Sequence, residues 1–162
     1  MAAVATHVIV VHAIPHVLMQ GAMDRIEKHV STNKWVAAKR VTAASRTVVR
    51  PSPELAYSAC VFDLRNGPVR MRVQPMNDYW SLSLFAANTD NFHVWDNRTA
   101  PSGVDIWLVA DRAAGRQPPA GVTLVRSPSE RGIALIRRRA TSESQWPQIK
   151  AAQSEDRCEA VQ

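Results

Sequence analysis

The sequence predicts a mainly β protein: an antiparallel, sandwich-like domain preceded by an apolar helix and followed by a second helix. Three observations carry that prediction. The first 23 residues contain no Asp, Glu, Lys or Arg, and sixteen of them are apolar. From residue 46 onward eight short apolar runs follow one another, with Asn-Gly, Pro-Ser-Gly and Gln-Pro-Pro-Ala-Gly among the segments between them, the turn chemistry that punctuates strands. The last stretch, from residue 142, loses that spacing and has helical composition around Trp146, Pro147 and Ile149.

MAAVATHVIVVHAIPHVLMQGAM would span about 34 Å as a helix at roughly 1.5 Å per residue, enough to cross a hydrocarbon core of about 30 Å. His7, His12, Pro15, His16 and Gln20 lower its hydropathy, and neither a basic leader nor a small-residue cleavage site marks it as a secretory signal. The expected organisation is a membrane helix over 1–29, a linker over 30–45 and a β-rich domain over 46–162. Arg25, Lys28, Lys34, Lys39, Arg40, Arg46 and Arg50 follow the helix against only Glu27. By the positive-inside rule this flank would be cytoplasmic, and an upstream start with basic residues of its own would reverse the orientation. His12 and His16 stand four apart, a spacing at which two imidazoles can share a metal. Pro15 lies between them and no Cys or carboxylate is near, so histidines bonded to backbone are expected and no metal site is assigned.

The predicted strands are 46–50, 56–63, 68–74, 79–86, 92–96, 104–110, 121–127 and 131–138, a spacing that suits a sandwich or barrel. Ser127, Pro128 and Glu130 could also open a helix as a capping box, but the apolar run GIALI favours a strand. Asn66-Gly67 is a strong short hairpin signal. It would pair Leu64 with Val69, Phe62 with Met71 and Cys60 with Val73 on a buried face, and set Asp63 against Arg70 on the other. Trp80, Leu82 and Leu84 form an apolar face, with Trp80 expected in the core. Ser144 is the expected cap of the terminal helix, with Pro147 in its first turn. Cys60 and Cys158 are a candidate disulfide, since they lack the close spacing of a zinc or redox motif.

RPSPELAYSACVFDLRNGPVRMRV, then YWSLSLF and PAGVTLVRSPSERG, resemble the bacterial family known as domain of unknown function 1254. The likeness covers roughly residues 46–139 and rests on Arg50-Pro51, Pro53, Tyr57, Asp63-Leu64, Gly67-Pro68 and Tyr79. It implies a sandwich-like domain without an established activity, in short members carried on one membrane helix. It also implies a companion, the domain of unknown function 1214, in the same chain or in a neighbouring protein. A single-pass protein of the bacterial inner membrane, its main domain periplasmic, is the resulting expectation.

The formal charge of +6 suits an anionic membrane surface, small anions or nucleic acid. Nucleic acid is disfavoured, because the Trp residues fall in strand patterns that need them inside. GxSxG, HExxH, GxGxxG and GxxxxGK[ST] are all absent, which leaves serine-hydrolase, zincin, dinucleotide and P-loop chemistry without its usual marks. No catalytic residue or cofactor is assigned. The expected function is a membrane-anchored module that binds a partner protein or a small polar or anionic ligand. Its candidate ligand residues are Arg50, Tyr57, Asp78, Tyr79, Arg131, Arg137, Arg138 and Arg139, the arginines being expected along a shared sheet edge. The alternative is an enzyme acting on a small molecule in a pocket near Arg50, Tyr57, Asp78 and Tyr79.

Overall fold

The computed structural model describes residues 2–42, 51–112 and 117–161; Arg50 and the predicted first strand, 46–50, lie outside them. Helix α1 (Ala2–Glu27) leads into β1 (Val36–Ala37), β2 (Leu55–Asp63), β3 (Val69–Val73), β4 (Trp80–Ala86), β5 (Asn91–Asp96), β6 (Val104–Ala110), β7 (Thr123–Ser127) and β8 (Arg131–Arg139). Helix α2 (Trp146–Glu155) and β9 (Arg157–Ala160) close the chain. Two sheets form the sandwich, one ordered β1-β2-β8-β4-β5 and the other β7-β6-β3-β9. All the pairs are antiparallel except β6 with β7, which run parallel.

The alternation expected of β2 and β3 is present, but their partnership is not. Cys60, Phe62, Leu64, Val69, Met71 and Val73 are all buried, yet β2 pairs with β1 and β8 while β3 pairs with β6 and β9. A type I′ turn needs positive φ at both central residues. Gly67 has φ +132°, whereas the non-glycine residues with positive φ among those described are Asn33 and Thr89. The Gly67 N–H bonds Leu64 O at 3.2 Å, and Pro68 has no N–H for a ladder. The chain therefore crosses to the other sheet, and the six apolar side chains meet across the sandwich instead of side by side.

The core lies between the sheets, built on Trp80, Phe62, Met71, Leu82, Leu84, Ile106, Leu108 and Ile136. Gly132 on β8 permits the closest approach: a Cβ there would lie 2.1 Å from Phe85 O and 2.5 Å from Phe62 Cζ. The terminal helix is shorter than expected, ending at Glu155 before β9 adds to the edge of β3. A 3-10 turn over Glu143–Gln145 leads into the helix, capped at Ser142, two residues before the predicted cap Ser144: Gln145 Oε1 accepts from Thr141 N at 2.8 Å and Ser142 N at 3.1 Å. Cys158 sits on β9 and is joined to Cys60 of β2 as a disulfide, tying the second sheet's edge to the first sheet across the core.

Part of the expected linker belongs to the domain. Val36 and Ala37 pair with Ala59 and Ser58, and the Asn33 side chain exchanges hydrogen bonds with the Asp63 backbone, at 2.8 Å from Asp63 N and 3.2 Å to Asp63 O. Helix α1 is docked at its C-terminal end only. Met19 and Met23 are buried against Val61 and Ile133, with Ala22, Ile26 and Phe85 packed around them. Val4, Val8, Ile9, Val10, Val11, Ile14, Val17 and Leu18 are exposed. The helix is long and apolar enough to cross a membrane. His12 Nδ1 and His16 Nδ1 each lie within hydrogen-bond distance of the carbonyl four residues back, 2.9 and 3.1 Å away.

Candidate functional site

Strand alternation divides β8 between two environments. Arg138 points inward, and it and Asp156 are each only 1% exposed. Its Nη1 and Nη2 donate to the two Asp156 carboxylate oxygens at 2.8 Å each, and Nη2 also donates to Gln74 O at 3.1 Å. Gln74 N donates to Asp156 at 3.0 Å, which further anchors the carboxylate. This forked, charge-assisted pair is internal structure.

The outward arginines separate along the strand. Arg131, at the start, binds Glu27 of α1 and lies 3.6 Å from Asp63. Arg139, at the end, meets Asp78 at 3.3 Å. The expected shared edge does not form, because β8 is flanked by β2 and β4 and roughly 3.3 Å per residue separates its two ends by about 26 Å.

Arg137 is different. It stands opposite Tyr57 on β2 and Ser81 on β4, half-buried, and among the described residues its side chain has no hydrogen bond or ion pair. The Tyr57 oxygen accepts from Ser52 N at 2.9 Å, which leaves its own proton to donate. Arg137 and Tyr57 line a cleft of about 770 Å³ between the docked end of α1 and the outer face of the first sheet. Leu18, Met19, Ala22 and Ile26 form one wall, Ala59, Ile133 and Leu135 the other, and Lys39 and Arg40 join from the segment after β1. The described lining contains no Asp or Glu. Arg40 is engaged by Glu143 and lies 5.7 Å from the Trp146 ring centroid.

Of the other predicted residues, Asp78 accepts from Tyr79 N at 2.7 Å and Gln145 Nε2 at 2.9 Å in addition to its Arg139 contact. Tyr79, 39% exposed, donates to Ser81 Oγ at 3.1 Å. They lie two and three residues before Ser81, beyond the Trp80–Arg138 pair, and neither lines the cleft. Elsewhere, hydrogen bonds from Arg65 hold the Asp63 carboxyl below the usual carboxylate range, and those from Arg70 do the same for Asp105.

Of the described cleft lining, Tyr57 and Arg137 are predicted site residues, and the α1 wall, Lys39, Arg40, Ala59, Ile133 and Leu135 are not. A signal for them exists: β2 and β8 carry apolar residues on their outer faces too, at Ala59, Val61, Ile133 and Leu135. Strands apolar on both faces need a cover on each.

Fold and site together define a β-sandwich domain carrying a helix able to span a membrane, with an apolar, cation-bearing cleft where the two meet. The chain belongs to the family described as "Protein of unknown function (DUF1254)", whose model matches residues 32–160. No curated protein matches the sequence. Among solved structures, the VPA0106 protein of Vibrio parahaemolyticus shares the fold, with a TM-score of 0.72 at 14% identity over 93% of this chain and 35% of that one. An uncharacterised protein from Burkholderia cenocepacia aligns over 70% of this chain and 32% of its own at 14% identity, with a TM-score of 0.49. This chain thus spans about a third of the length of the solved structures it matches.

Proposed function

We propose that this chain is a single-pass module of the bacterial inner membrane that binds a small anionic ligand at the cleft beside α1. The observation that carries the reading is Arg137: a half-buried guanidinium without a partner among the described residues, facing a cleft whose described lining has no carboxylate. Burying a fixed charge in an apolar wall is costly unless something pairs with it, and a forked guanidinium beside a free hydroxyl proton suits carboxylate or phosphate oxygens. The Cys60–Cys158 pair supports a periplasmic domain, since disulfides persist in oxidising compartments. The enzyme reading would need an acid or base beside Arg137, and Asp78 is committed to Tyr79 N, Arg139 and Gln145 instead.

Full-length protein in a neutral detergent, titrated with inorganic phosphate and with acetate, tests the site through its melting temperature. A ligand at 100 times its Kd should add about 2.7 kcal/mol to stability. Added salt should weaken the effect, and Arg137→Gln should abolish it. An unchanged response in that variant would sink the proposal. A reporter fused at the C-terminus checks the side of the membrane, and co-purification with a neighbouring protein bearing the 1214 domain checks the expected companion.

A further inference from the structure

A soluble anion would use the polar end of this cleft and leave its apolar walls wet. Those walls continue the exposed apolar surface of α1: Leu18 belongs to both, and Met19, Ala22 and Ile26 extend it along the helix. The first charged residues on α1 are Asp24, Arg25 and Glu27, and fixed charges avoid the hydrocarbon interior. The helix therefore leaves the hydrocarbon at the level of the cleft, where lipid headgroups lie. Lys39 and Arg137 place positive charge at this level with no acidic lining among the described residues, which complements an anionic headgroup, while Arg40 beside them is engaged by Glu143. About 770 Å³ is within the roughly 300–1,000 Å³ of pockets that enclose small organic ligands.

We infer that the cleft holds one anionic phospholipid of the surrounding leaflet, its phosphate on Arg137 and Tyr57 and an acyl chain against Ala22, Ile26, Ala59 and Leu135. The inference rests on the anion site proposed above and specifies its ligand. Lys39, at the exposed rim, assists through charge. Two variants separate the ends of the lipid: Arg137→Gln removes the phosphate partner, and Ala59→Phe fills the chain slot while leaving the guanidinium in place.

Native mass spectrometry of the full chain in neutral detergent, titrated with phosphatidylglycerol or phosphatidylcholine of identical chains, is the test. Phosphatidylglycerol should be retained at least about tenfold better. Arg137→Gln should reduce it to the phosphatidylcholine level, and Arg137→Lys should restore part of the difference. Ala59→Phe should lose the lipid yet still respond to inorganic phosphate. Equal retention of the two lipids by the wild type, or full retention by Ala59→Phe, overturns the inference. Should phosphate or glycerol phosphate bind through Arg137 as tightly as the lipid, the lipid inference fails and the anion site stands. If neither lipid nor phosphate responds to Arg137→Gln, both fail.

Discussion

Arg137 and Arg138 are chain neighbours on β8, but the two faces of the first sheet use them in opposite ways. The inner face surrounds Arg138 with a two-pronged carboxylate partner and a carbonyl. The outer face leaves Arg137 half-buried in an apolar cleft with no partner among the described residues. The difference teaches that a run of arginines on a strand is two populations. A buried guanidinium must be neutralised within the chain, whereas one at a covered outer face is available to something outside it.

The inner pair should be the harder to break. Asp156→Ala leaves Arg138 charged, buried and unpaired, and removal of one partner from such a pair costs about 3–5 kcal/mol. Urea unfolding would register the loss, and a cost under about 1 kcal/mol, typical of exposed pairs, would put Arg138 in contact with water.

Asp63 sharpens the contrast through pH. Its folded carboxyl titrates below the unfolded value, principally because Arg65 donates to it, with Arg131 adding a smaller attraction. The stability this contributes is complete above the unfolded value of about 3.9 and is lost as the pH falls through the folded value. Asp63→Asn should lower stability at neutral pH and flatten the acid limb of a stability-versus-pH curve. An acid limb that keeps its slope would assign the transition to other carboxylates.

The smallest expected change in stability is at Arg137. Arg137→Gln breaks no hydrogen bond or ion pair among the described residues, so unliganded stability should move within about 0.5 kcal/mol even though anion binding is lost. A large loss of stability in unliganded protein would make Arg137 structural, and the comparison of faces would collapse.

Much of this fold was legible because strands that bury one face must alternate. Seven predicted runs coincide with strands to within a residue or two, and Trp80 is fully buried as expected. The Asn66-Gly67 register was misleading for a definite reason. A local turn signal specifies a bend, while the partner of each strand is chosen by competition among all strands, and β8 pairs along the whole of β2. β9 was illegible because RCEA is too short and polar to mark a strand and gains its ladder only from β3. In the candidate site, Tyr57 and Arg137 were singled out from sequence, but not as a pair.

By itself the sequence determined the chemistry of each segment: an N-terminal helix uncharged over residues 1–23 and with the length of a membrane span, strands with defined buried faces, and a store of arginines near the end. These follow from composition and periodicity, which are local. Only the tertiary structure decided which arginine is sealed in the core, which is clasped by α1, and which faces a cleft. Those outcomes depend on β8 lying between β2 and β4 and on α1 folding back over β2 and β8. Such juxtapositions join separate segments of the chain, as Tyr57 with Arg137 and Glu27 with Arg131, where burial and pairing are set by the whole chain's packing and leave no periodic trace in any one segment.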